Sequence, residues 1–180
     1  MVLKPVATIA AIAFVLSNYP AFGQEAAKPS DRTDCEKFSW RVDRERDWFA
    51  DRNLPRRDSG ARLRRIDRAV RLSLRPARQV DLFMPPDVKP RLDSFSGEVT
   101  FFGVPKPGLY QVTLSDQATI DVFENGARLK ATGSTSAKHC PGVFESVRYE
   151  LAPGDLVLVE VTNASRNSIK VAFSEAEAAR

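Results

Sequence analysis

With 180 residues, 43% of them hydrophobic, the chain is long enough to build one ordinary domain around a real core. With its two cysteines expected to pair, the one histidine would need at least two carboxylates from elsewhere to reach the three or four ligands of a typical zinc or iron centre. The formal net charge of +4 is unevenly placed: residues 24–93 hold 18 Lys and Arg against 13 Asp and Glu, and residues 94–180 hold 8 against 10.

Residues 1–23 read as a cleavable secretory signal. Lys4 supplies a charge, Val6 to Leu16 is apolar apart from Thr8, and Ala21-Phe22-Gly23 puts small residues at the −3 and −1 positions of a cleavage site. The apolar stretch is about half of the roughly 20 residues a spanning helix needs. No later segment is apolar enough to span. The expectation is a periplasmic or secreted protein that starts at Gln24, with no transmembrane segment after cleavage. Its domains are expected to be a flexible leader over 24–34, a single β-sandwich over 35–174 and a tail over 175–180. In an oxidising compartment Cys35 and Cys140 are expected to pair. Chain-entropy models give a loop of that length roughly 4–5 kcal/mol. Free thiols or an intermolecular bridge are the alternative.

In chain order, Phe38, Trp40 and Val42 alternate with polar residues, as in a short strand. Asp43 is placed to cap a helix from Arg44 to about Asp51, with Trp48 and Phe49 on its apolar edge and Pro55 beyond its end. Arg56 to Arg68 reads as a surface loop or a short exposed helix. Val70, Leu72 and Leu74, then Val80, Leu82 and Met84, have the period of strands with one buried face. Pro85, Pro86 and Pro90 make an extended linker. Strands follow around Phe95, Val99 and Phe101, around Tyr110, Val112 and Leu114, and around Ile120 and Val122. Asn125-Gly126 is a strong hairpin signal. Gly133 to Lys138 reads as a polar loop and Val147, Tyr149 and Leu151 as a strand. Leu156 to Val161 reads as a central, doubly buried strand, and Ile169, Val171 and Phe173 as the last one. The fold class is mainly β: an antiparallel β-sandwich or jelly roll of about eight or nine strands with one short N-terminal helix.

The catalytic inventory is thin. His139 is the only histidine, beside Cys140, and no Gly-x-Ser-x-Gly sequence surrounds a serine. No phosphate-binding glycine loop is present. No catalytic residue, metal ligand or cofactor is therefore assigned. Arg56, Arg57, Arg62, Arg64, Arg65, Arg68, Arg71, Arg75 and Arg78 form an arginine-rich segment, and guanidinium forks bind phosphate and carboxylate in two-pronged fashion. Arg62, Arg64, Arg65 and Arg68 are the anion-binding candidates. A solvated basic face is the plainer alternative. Outside the cytoplasm the polyanions are lipid head groups, lipopolysaccharide phosphates and acidic glycans; nucleic acid is not an expected partner. Trp40, Trp48 and Tyr110 are candidates for a glycan-stacking platform, but their positions fit core packing beside the disulfide better.

Cys35-Glu-Lys-Phe-Ser-Trp40, Gly108-Leu-Tyr110-Gln-Val-Thr-Leu-Ser, Ile120-Asp-Val122 with Asn125-Gly126, His139-Cys140-Pro-Gly142 and Ser146-Val-Arg-Tyr149-Glu-Leu resemble a set of small secreted bacterial proteins of uncharacterised function. Some members of that set carry a homogentisate 1,2-dioxygenase label, which implies an iron held by two histidines and a carboxylate. This chain has one histidine, so no catalytic residue carries over. The expected function is that of an exported, non-enzymatic envelope protein or binding module, contacting a partner or a polyanionic surface through its arginines. Two alternatives stay open: a glycan-binding module, and a small enzyme with a site near His139.

Overall fold

Residues 34–64, 67–154 and 156–177 are described by the computed structural model. The expected signal peptide, nearly all of the leader and Arg65 lie outside them. A 3-10 turn, Asp34–Lys37, carries Cys35 into a buried position. Helix α1 follows at Asp43–Ala50. The strands are β1 (Arg56–Asp58), β2 (Ala61–Leu63), β3 (Arg68–Ser73), β4 (Arg75–Pro76), β5 (Phe95–Phe102), β6 (Gly108–Leu114), β7 (Thr119–Glu124), β8 (Ala127–Arg128), β9 (Gly133–Ser136), β10 (Glu145–Leu151), β11 (Leu156–Ala164) and β12 (Ser168–Glu175).

The fold is mainly β, with two mixed sheets of six strands and no barrel. The first sheet has the order β1-β3-β12-β6-β10-β9; the second runs β2-β5-β11-β7-β8, with β4 also paired to β5. Most neighbours are antiparallel, but β1 joins β3 and β2 joins β5 in parallel. Each parallel pair contains a short strand, β1 or β2, from the 56–68 stretch that the sequence reading leaves as loop or helix. These short strands add to sheet edges that already exist, so they need little apolar pattern of their own.

The inner faces of both sheets meet in one core. Val70, Leu72, Val112, Leu114, Val171 and Phe173 of the first sheet pack with Val99, Phe101, Val122, Val157, Val159 and Val161 of the second. Phe101 and Phe173 touch across the sheets, ring centroids 4.6 Å apart, a contact worth about 0.5–1.5 kcal/mol beyond its buried area. On β5, Gly97 lets the backbone pass close to Leu74 and Ser59: a Cβ there would stand 2.9 Å from atoms of both. The β7–β8 hairpin turns through Asn125 and Gly126, both at positive φ (51° and 81°), which this kind of two-residue turn demands.

Two period-two patterns are not strands. Phe38, Trp40 and Val42 are buried, but they line a second cluster with Phe49, Leu54, Ala69, Ala172 and Val143 on the outer face of the first sheet. Val80, Leu82 and Met84 belong to an irregular segment, and Phe83 and Met84 are exposed. Its run of prolines removes the donors a ladder requires. Asp43 is the first residue of α1 rather than its cap, its carboxylate turned to Arg46 three residues on. The Gly133–Ser136 stretch, expected as loop, pairs along β10 as an edge strand.

The Cys35–Cys140 disulfide is present and joins positions 105 residues apart. It clamps the N-terminal segment onto the first sheet beside Phe38 and Val143. Replacing either cysteine with serine is expected to cost about 2–5 kcal/mol. Denaturant unfolding of the oxidised wild type against Cys140→Ser measures this. A loss under about 1 kcal/mol would mean that the packing of the cluster, rather than the cross-link, holds the segment down.

Candidate functional site

The register of the second sheet sorts its outward side chains into rows. Glu98 of β5, Glu160 of β11 and Asp121 of β7 stand opposite one another. In the next row are Arg62, Thr100, Leu158, Phe123 and Arg128, one from each of β2, β5, β11, β7 and β8. Phe102 and Leu156 form the third row. Alternate positions on the same strands, such as Val99, Phe101, Val157 and Val159, point into the core.

A strap, residues 80–93, crosses this face and is pinned at three places. The Phe83 N–H donates to Glu160 Oε1, and the Phe83 ring meets Phe123 edge-on with centroids 5.3 Å apart. Arg128 pairs with Asp87 and donates to the Pro85 carbonyl. The Arg91 N–H donates to Asn163 Oδ1 at 2.9 Å. Asn163 sits at positive φ (59°), a conformation asparagine tolerates better than most residues, beside the break in the β11–β5 register.

Glu160 is fully buried beneath the strap. Burial raises its carboxyl above the usual range; the Phe83 N–H pulls it back, and Glu98 and Asp121 push it further up. Asp121 is raised by burial too, although Arg128 Nε stands 3.4 Å from its Oδ1. Glu160 Oε2, Asp121 Oδ2 and the hydroxyls of Ser96 and Thr162 have no hydrogen-bond partner among the described residues. The same residues contain no group of three or more His, Cys, Asp or Glu placed to hold a metal ion.

Next to the acidic row lies a groove of about 400 Å³. Phe83, Phe123, Leu156 and Leu158 wall it, with Arg62 and Thr100 at one end and the Asn125-Gly126 turn at the other. A second recess, about 440 Å³, opens on the other sheet between α1 and β3, where Trp48, Asp47, Asp51, Asn53 and Arg68 gather.

Of the four arginines proposed from the sequence, Arg65 lies outside the described residues, and Arg62, Arg64 and Arg68 do not form one patch. Arg62 is exposed on the outer face of the second sheet and Arg64 is exposed just past the end of β2, whereas Arg68 is half-buried on the first sheet beside Trp48. The chain changes sheets between β2 and β3, and that separates them. The three aromatic rings form no platform either. Tyr110 is enclosed in the core, its hydroxyl donating to the Lys106 carbonyl at 2.9 Å. Trp40 is buried with its N–H on Ser146 Oγ at 3.0 Å and the Arg148 guanidinium 4.2 Å above its ring. Trp48 is half-buried, with Arg44 5.1 Å over it. All three belong to packing faces, Tyr110 in the core between the sheets and the two tryptophans in the cluster under the N-terminal segment. His139 is exposed beside the disulfide.

Sequence reasoning missed Phe83, Leu156, Leu158 and Glu160. One signal was visible: Glu160 is the only charge in the apolar run from Leu156 to Val161. A carboxylate inside a doubly buried strand needs a partner from outside its sheet. Compared with known family models, curated proteins and solved structures, the chain finds no match in any of the three.

Glu160→Gln keeps the acceptor for the Phe83 N–H and removes the buried charge. A carboxyl held above its ordinary value binds its proton more tightly in the folded state, so stability falls as pH rises through the raised value and is restored towards 4.5. The variant is therefore expected to melt higher than wild type at pH 7, with a gap that closes as pH is lowered to 4.5. Melting curves across that range check it; a gap that widens on acidification has the wrong sign.

Proposed function

We propose that the protein is an exported, non-enzymatic binding module whose two sheets are the layers of a β-sandwich of the jelly-roll class, and that it contacts a polyanionic surface of the cell envelope along one basic edge. The shared core, with Phe101 against Phe173, supports the sandwich reading. The Cys35–Cys140 bond fits an oxidising compartment. The resemblance to small secreted bacterial proteins points the same way.

One observation carries the binding proposal. β1 is the edge of the first sheet, while β2 and β4 pair with the side of β5 that β11 leaves open, so the arginine-rich segment lines one lateral edge of both sheets. Arg56, Arg62, Arg64, Arg75 and Arg78 are exposed there. None of them has a carboxylate partner among the described residues; the arginines that do are Arg44, Arg46, Arg91 and Arg128. Charges that satisfy nothing inside the fold remain available to an outside anion. They also guard the edge strands against pairing with another chain.

Mature protein is expected to sediment with phosphatidylglycerol vesicles at low ionic strength and to release as salt shortens the Debye length from about 30 Å at 0.01 M to about 8 Å at 0.15 M. Changing Arg56, Arg64, Arg75 and Arg78 together to Gln is expected to abolish sedimentation while moving the melting temperature little, because exposed charges contribute little stability. Failure of the wild type to sediment in low salt would leave the edge as a solvated face.

A further inference from the structure

The large apolar side chains exposed among the described residues are Phe83, Met84, Val88, Leu92, Phe102 and Leu156. The first four lie on the strap and the last two on the outer face of the second sheet, so all of them belong to one side of the molecule. Scattered exposed apolar residues need no explanation, whereas a one-sided concentration marks a binding surface. Within this patch the groove is the concave part, and its volume of about 400 Å³ falls in the roughly 300–1,000 Å³ range of small-molecule sites.

The charges at the two ends of the groove differ. Arg128 is already neutralised by Asp121 and Asp87. Arg62, in the same row, is exposed and has no carboxylate partner, and the Thr100 hydroxyl stands next to it in register. The walls between are Leu158, Leu156, Phe83 and Phe123, and the groove closes at the hairpin tip, where a Cβ on Gly126 would lie 3.9 Å from the Phe83 ring. One unmatched cation at one end and an apolar trough behind it are complementary to a monoanion with a hydrocarbon tail.

We propose that this groove binds a single-chain alkyl carboxylate. Its head group lies on Arg62 and Thr100, and its chain lies along Leu158 and Leu156 under the Phe83 ring. A guanidinium fork matches the two oxygens of a carboxylate, and the apolar walls supply the remaining affinity through area removed from water. The strap makes one wall, so Glu160 acts here as a positioning residue through its bond to the Phe83 N–H. The site shares Arg62 with the basic edge but does not depend on the polyanion reading.

The test is isothermal titration of the mature protein with octanoate, 1-octanol and acetate. Octanoate is expected to bind saturably at one site. Acetate, which lacks the chain, and 1-octanol, which lacks the charge, are each expected to bind at least tenfold more weakly. Arg62→Gln is expected to weaken octanoate at least tenfold and leave 1-octanol unchanged. Leu156→Gln and Phe83→Ser, at positions 49% and 51% exposed, are expected to weaken both; two variants guard against one that misfolds. The four-arginine variant that removes vesicle binding spares Arg62 and is expected to bind octanoate like wild type, so either proposal can fail without the other. Absence of saturable octanoate binding overturns the assignment, as does binding indifferent to Arg62→Gln and to both apolar-wall variants.

Discussion

A strand buried on both faces must be covered twice, and the central strands here are of that kind. On β6, Tyr110, Val112 and Leu114 face the core while Gln111 and Thr113 are equally buried on the opposite side. On β11, Val157, Val159 and Val161 face the core while Glu160 and Thr162 are buried behind them. Each sheet therefore needs a layer on its outer face, and the two covers are built differently. The first sheet is covered by the N-terminal segment with α1, cross-linked through Cys35 and Cys140 and packed through Phe38, Val42 and Phe49. Among the described residues the second is covered by the strap, held by a few polar contacts and one ring pair.

Polar groups lie beneath both covers. Under the N-terminal segment, Ser174 Oγ donates to Glu45 Oε1 at 2.8 Å, Arg44 reaches both, and Ser146 joins Trp40 to Thr113. Buried polar groups are tolerable when partnered, and most of these are. Both sides leave some polar atoms unpartnered: Glu45 Oε2, Arg46 Nε and Gln111 Nε2 on the first-sheet side have no hydrogen bond among the described residues. Under the strap, Glu160, Asp121, Ser96 and Thr162 each keep an atom without a hydrogen bond among the described residues, and two carboxyls are raised by burial. A cover with less apolar packing and no cross-link opens locally at lower free energy. The same incompleteness leaves Phe83, Leu156 and Phe102 in contact with solvent and gives this side of the molecule its groove.

Much of the core was legible because its strands carry apolar residues at every second position: Val70 and Leu72, Tyr110 to Leu114, Val147 to Leu151, Ile169 to Phe173. That signal reports burial of one face and says nothing of what buries it. Phe38, Trp40 and Val42 show the same period in a cover segment with no strand, and Val80, Leu82 and Met84 show it in the strap. The short edge strands β1, β2, β4 and β9 were invisible, since hydrogen bonding to a neighbour creates them without a pattern of their own. The groove was harder still. Arg62, Thr100, Leu158 and Phe123 are brought side by side by cross-strand register, and no local spacing in the sequence records that. The disulfide, in contrast, could be read from the cysteine count and an expected oxidising compartment.

The contrast between the two covers can be measured directly by native-state amide hydrogen exchange on the oxidised protein. Amides of α1 are expected to exchange with the same opening free energy as those of β6 and β12, because the cross-linked cover leaves only when the core unfolds. The Phe83 amide and its neighbours in the strap are expected to exchange at distinctly lower free energy, with little dependence on denaturant, through local opening of the groove wall. Strap amides protected as strongly as β6 would contradict the idea that one face of this protein is sealed and the other is built to open.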